Sequence, residues 1–283
     1  MAKNKDFYHR FVVPCGCSFD LTKCDPDYKD DLTNKKAAKH EIEYYAKRLR
    51  DLQYLLYAEN KRSLLIVLQG LDASGKDGTI RHVLGYMNPQ GCRVQAFKQP
   101  SSLEAAHDFL WRIHQAVPKK GEAVIFNRSH YEDVLVARVH NLVPKKVWKA
   151  RYQQINAFES FLTENNTKIL KFFLHISPDE QLRRFKKRLD DSNRWWKISE
   201  SDYSERRYWN DYQQAYQDVV SKCSTEQAPW FVIPSNHKWF RNLAISRIVV
   251  EVLEKQQMTF PEPTVDLNEI RNKYHALLNN DGK

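Results

Sequence analysis

Between residues 35 and 60 the apolar residues Ile42, Tyr45, Ala46, Leu49, Leu52, Leu55 and Leu56 recur at three- and four-residue intervals. That spacing predicts a long amphipathic helix with a Lys/Arg/Glu outer face. The pattern then changes: Leu64-Leu65-Ile66-Val67-Leu68 is continuously apolar over strand length, as in a strand buried on both faces. The same alternation continues downstream. It predicts helix at 76–87, strand at 92–97, helix at 102–116, strand at 123–127, and helices at 130–138 and 144–165. A strand at 169–176 (ILKFFLHI) leads into Ser177-Pro178-Asp179-Glu180, with a cap residue and a proline where a helix opens. Helices at 203–222 and 239–256 flank a short strand at 230–233, and a weak helix falls near 267–278. Strands alternating with helices predict an α/β fold, a parallel sheet covered on both faces in three layers. The domain plan is an N-terminal arm at 1–34, a single core at 35–257 with a helical lid at about 181–209, and a C-terminal tail at 258–283. The arm, punctuated by Pro14, Gly16 and Pro26, reads as extended and irregular.

Composition narrows the class. The chain has 283 residues, 42% hydrophobic and 12% aromatic, enough for a sizeable core and against wholesale disorder. No stretch approaches a membrane span, and no apolar run follows the N-terminal lysines as a secretory signal would require. Five cysteines, an odd number, do not read as a disulfide framework. The C-G-C-x6-C of Cys15, Cys17 and Cys24 fits zinc spacing poorly and reads as free thiols. The expected location is the cytoplasm. A formal net charge of +10 points to an anionic partner.

The candidate chemistry begins directly after the first strand, at Gly70-Leu71-Asp72-Ala73-Ser74-Gly75-Lys76-Asp77-Gly78-Thr79. Its core, G-x4-G-K between a strand and a helix, is the P-loop pattern: backbone N–H groups turn onto a phosphate and Lys76 reaches the outer phosphates. Gly70, Ser74, Gly75, Gly78 and Thr79 belong to that cradle. Asp77 stands where the pattern wants a metal-binding Ser or Thr, and Asp72 lies inside the loop. A carboxylate beside phosphates needs a divalent cation between them, so Asp72 reads as a metal residue with Asp77 or Thr79 as helpers, or else as a brace for Lys76. Asn127 and Arg128 close the third strand, where such sheets open onto their ligand. Asn127 is a neutral oxygen ligand, a further metal candidate, and Arg128 suits a phosphoryl group. Lys98, after the second strand, is another phosphate candidate. Between 181 and 197 seven basic residues face only Asp190 and Asp191, a local excess of half the total charge. Arg184 and Arg188 share a helix face there, as lid arginines that close over a transferring phosphoryl group would, and Lys197 follows. Trp195 and Trp196 suit either base stacking or a core.

Together these residues resemble the polyphosphate kinase 2 family. The likeness lies in G-L-D-A-S-G-K-D-G-T at 70–79, F-N-R-S-H-Y-E-D-V-L-V at 126–136, Q-L-R-R-F-K-K-R-L-D-D through W-K-I-S at 181–199, and A-P-W-F-V-I-P-S-N-H-K-W-F-R at 228–241. It runs from about residue 35 to about 256. The resemblance implies a P-loop kinase fold that moves a terminal phosphoryl group reversibly between inorganic polyphosphate and a nucleotide, forming ATP. It implies Mg²⁺ as cofactor, with Mn²⁺ as the alternative ion, and catalytic work for Asp72, Lys76, Arg128, Arg184 and Arg188. Asn127 departs from the Asp found in many members. The S-H-Y-E-D-V-L-V wording is similar to the subgroup acting on both AMP and ADP.

The partners expected on this basis are inorganic polyphosphate and AMP, ADP or ATP, with no nucleic acid or membrane, in a homo-oligomer (dimer or tetramer) for which the 35–60 helix offers a face. Two rivals stand beside it: an ATP-dependent P-loop nucleoside or nucleotide kinase, and a basic nucleic-acid-binding protein.

Overall fold

In the structure, a computed structural model that describes residues 6–30 and 35–280, the apolar runs become five parallel strands. They are β1 (Ser63–Gln69), β2 (Cys92–Ala96), β3 (Ala123–Asn127), β4 (Thr167–His175) and β5 (Trp230–Pro234), in the order β2-β3-β1-β4-β5. In β1, β3, β4 and β5 the runs lack polar alternation because both faces are covered, whereas the edge strand β2 is only partly buried. Leu64, Ile66 and Leu68 of β1 point to one core, with Leu49, Leu52 and Leu56 of the helix Lys35–Glu59 and Ile245, Ile248 and Val249 of the helix Lys238–Glu254. Leu65 and Val67 point to the other, with Trp148 and Ile155 of the helix Lys145–Glu164 and Val219 and Val220 of the helix Trp209–Cys223. Each such fully buried Leu, Ile or Val contributes about 1.5–3 kcal/mol. The result is the three-layer α/β fold, with β1 at the centre of the sheet.

Several helices are shorter than the periodicity predicts, two of them for a local reason. The 102–116 stretch is two single turns, Ser102–Ala105 and Trp111–His114. Ser101 and Glu104 form a reciprocal capping box at the first, and the Asp108 side chain accepts from the Leu110 N–H (2.9 Å), breaking the chain between them. The 130–138 stretch opens as a 3-10 turn, His130–Asp133, because the Ser129 hydroxyl accepts from the Tyr131 N–H (3.2 Å). The helix after the loop stops at His82 and continues as the 3-10 turn Leu84–Tyr86. The 203–222 helix starts only at Trp209. The tail helix, Leu267–Asn280, lies on the surface with Ile270, Tyr274 and Leu277 exposed.

The arm is the largest departure from expectation. Residues 1–5 and 31–34 of it, like 281–283 of the tail, lie outside the described residues. The rest is packed, with Phe7, Phe11, Val13 and Leu21 all buried. A short helix, Phe7–Phe11, is opened by Asp6, whose side chain accepts from the His9 N–H. Val12 then pairs antiparallel with Phe231 of β5, and the Val13 N–H donates to the Trp230 carbonyl (2.8 Å). Among the described residues no helix is long and apolar enough to cross a membrane.

Candidate active site

β1 ends at Gln69, and Gly70 to Gly75 fold into the loop before the helix Lys76–His82. Gly75, the residue before that helix, has φ +110°, a conformation that favours glycine, and no side chain caps the helix. The first-turn N–H groups are therefore left without a capping side chain, as anion binding at a helix start would need. Ser74 and Thr79 are fully buried, and neither hydroxyl has a hydrogen-bond partner. An unpaired buried hydroxyl costs about 1–3 kcal/mol, and here one lies in the loop (Ser74) and one in the first turn of the helix that follows (Thr79). Lys76 is almost entirely buried, and its ammonium donates to the carbonyls of Gly70 (2.6 Å) and Leu71 (3.4 Å). Burial, and then the like charge of Arg128, push its pKa down to about 8 against the pull of Asp72, Glu132 and Asp77.

The second motif meets the loop through charge. Arg128 donates from Nη2 to the Asp72 carboxylate (2.8 Å) and from Nη1 to Glu132 (3.3 Å). Asp72 therefore pairs with Arg128, not with Lys76 as the bracing alternative supposes. Arg128 sits at φ +64°, a left-handed conformation costing about 1–3 kcal/mol for a long side chain. The Asn127 amide donates to Asp77 (3.1 Å), and the lid's Lys197 reaches the other oxygen of the same carboxylate (3.2 Å). Loop, strand end and lid thus converge on Asp77.

The segment expected to form the lid begins within the helix Pro178–Leu189, opened by the Ser177 hydroxyl accepting from the Glu180 N–H. Arg188 donates to Asp202 (2.8 Å) and to the Lys197 carbonyl (3.2 Å). Arg184, expected among the catalytic cations, is committed to the backbone. Its guanidinium donates to the carbonyls of Ala73 (2.8 Å), Ser74 (2.9 Å), Ser235 and Asn236, and to Glu180. In this arrangement it holds the loop. Lys98 stands apart, exposed, its carbonyl accepting from Arg112 (2.8 Å). Trp195 and Trp196 are exposed on the lid, the Lys197 ammonium 4.8 Å from the Trp196 ring. A cleft lined by Leu71, Asp72, Arg128, Gln181, Asp202 and Tyr216 runs between loop and lid.

Gln181, Glu132 and Asp202 join this site without a local sequence signal to single them out. Gln181 donates to the Asp72 carbonyl (2.9 Å) and accepts from Arg206. The described residues hold no cluster of three or more His, Cys, Asp or Glu suited to a metal ion. The donors present, the Asp72 and Asp77 carboxylates and the unpartnered Thr79 hydroxyl, suit a small divalent cation that takes its other oxygens from phosphates.

Comparison with known proteins places this geometry. The model of the family described as polyphosphate kinase 2 matches residues 32–261. An AMP/ADP-polyphosphate phosphotransferase from Meiothermus ruber is 52% identical over 253 residues, covering 89% of this chain and 94% of that protein. An ADP-polyphosphate phosphotransferase from Rhodopseudomonas palustris is 44% identical over 271 residues, 90% of this chain and 92% of that one. The crystal structure of polyphosphate kinase 2 from Arthrobacter aurescens TC1 superposes with a TM-score of 0.92 at 40% identity, over 96% of this chain and 97% of that one.

Proposed function

The chain belongs to the polyphosphate kinase 2 family, and we propose that it transfers the terminal phosphoryl group of inorganic polyphosphate to ADP and to AMP, reversibly, with ATP as the final product. The observation that carries this reading is the convergence of three segments on one site. The loop after β1 meets the end of β3 through Asp72–Arg128, and the lid through Asp77–Lys197. A phosphate oxygen of the acceptor attacks the terminal phosphorus, the bond to the bridging oxygen breaks, and the donor leaves one phosphate shorter. The acceptor oxygen is already anionic, so no general base is needed, and positioning with charge neutralisation does the catalytic work. Lys76, Arg128 and Arg188 bear on the transferring group, while Arg184 keeps the loop carbonyls pinned away from it. Mg²⁺, or Mn²⁺ in its place, would be held by Asp72 and Asp77 with the Thr79 hydroxyl and the Asn127 side chain, and supplies positive charge between phosphates when bound. The basic lid offers a long polyanion a track to the site. The same reading makes the protein a cytoplasmic homo-oligomer.

The test is ATP formation from ADP and, separately, ADP and ATP formation from AMP, with long-chain polyphosphate as sole donor. Product from both acceptors is expected. No product from either overturns the reading.

A further inference from the structure

Arg241, near the start of the helix Lys238–Glu254, is 1% exposed and lies against the underside of the loop. Its Nη1 donates to the Ser74 carbonyl (3.2 Å), and its Nε and Nη2 share the Asn242 side-chain oxygen (3.2 and 2.8 Å). Every one of these acceptors is neutral. Among the described residues no carboxylate pairs with it, and the charge it feels most is the like charge of Arg184. Burial and Arg184 together hold its pKa well below the ordinary arginine range.

The loop's glycines are fitted to this guanidinium. A Cβ at Gly75 would stand 1.8 Å from Nη1, and one at Gly78 would stand 3.0 Å from Nη2. Gly78 lies beyond the G-x4-G-K core, and a side chain there would press on Nη2. A buried cation with neutral partners only is costly to keep. The cost falls when an anion settles nearby.

We propose that Arg241 is a positioning residue of the phosphate site, a buried positive charge deliberately left without a counterion, set against Gly75 and Gly78 to shape the loop and raise its attraction for the polyphosphate chain. The inference rests on the loop being the phosphate site.

Two substitutions test it, Arg241→Met and Asn242→Asp, the second placing a carboxylate on the same guanidinium without changing shape. Inorganic tripolyphosphate is the probe: the melting temperature is read with and without it, and KM for polyphosphate and kcat are measured. Tripolyphosphate raises the melting temperature of the wild type. In R241M at least half of that rise is lost and KM climbs roughly tenfold, about the value of one screened charge–charge interaction. N242D melts higher than wild type without ligand, yet its KM also rises several-fold. A purely structural role gives the opposite results: R241M melts lower without ligand but keeps the full rise, and N242D leaves KM unchanged. Either result overturns the inference. Should R241M fail to fold, N242D decides alone. A wild type that neither responds to tripolyphosphate nor makes ATP overturns the function itself, and the inference with it.

Discussion

Lys171 and Arg241 are both buried cations, 0% and 1% exposed, on opposite faces of the same sheet. Lys171, in the middle of β4, has a full set of partners. Its ammonium meets the Glu159 carboxylate, donates to the Tyr131 hydroxyl (3.0 Å) and the Cys223 carbonyl (2.7 Å), and lies 5.5 Å from the Tyr131 and Trp230 ring centres. Burial pushes the Glu159 carboxyl up, yet Lys171 and His130 together bring it below the usual glutamate range. Arg241 has only neutral oxygens. Where a buried charge serves the fold, the protein supplies the opposite charge. Where it stands behind a phosphate loop, the protein leaves that place open, and the deficit becomes binding strength.

If that contrast holds, damage to the two faces separates stability from activity. The largest effect is expected from Lys171→Met, which strands Glu159 in the interior and costs about 3–5 kcal/mol. Urea unfolding should show it, with turnover per folded molecule close to wild type, and the double variant Lys171→Met/Glu159→Leu should recover most of the loss. On the loop side, Lys76→Ala and Asp72→Asn are each expected to lower turnover about 10²–10³-fold with an unchanged circular dichroism spectrum. A variant with near-wild-type turnover would remove its residue from the site. Arg188→Ala sharpens the comparison between fixed and movable cations, because its partner Asp202 belongs to the lid. A roughly tenfold fall in kcat with little change in nucleotide KM is expected, and a pure KM effect would assign Arg188 to substrate capture.

The smallest effect is a pH dependence. The Lys76 ammonium, with its pKa near 8 instead of 10.5, is charged below pH 8 and neutral above it. The kcat/KM for polyphosphate should therefore decline as pH rises through about 8, and Lys76→Arg should flatten that decline in whatever activity it retains. For stability the sign is the reverse. The fold disfavours the charged lysine, so Lys76 weakens the fold at pH 8 and below, and that penalty fades as pH rises towards 10.5. Urea titrations across that window check it.

The fold was legible because a doubly covered strand has no polar alternation and a P-loop needs its glycines at fixed spacing. Both are local. What escaped is made by long-range contact. Arg241 is more than 160 positions from the glycines it fits. Lys171 is a lone lysine inside an apolar strand, and its partner Glu159 is on a helix that reads as ordinarily amphipathic. Arg184 and Arg188 look equivalent on one helix face, and only the fold turns one to the loop backbone and the other to Asp202. The arm hid its burial because its periodic stretch is a single helical turn, Phe7 and Phe11 against Phe240, and Val13 and Leu21 follow in chain punctuated by proline and glycine.

That arm also sets an order of events in time. Val12 and Val13 bridge to the backbone of β5, which lies about 220 positions later in the chain. At roughly 5–20 residues per second of synthesis, the arm's aromatic side chains wait about 10–45 s for the strand they belong to. They must stay unattached to other surfaces for that interval, and the loop they close is among the longest in the molecule. The bridge from Val12 and Val13 to Phe231 and Trp230 therefore forms only after most of the sheet has been made.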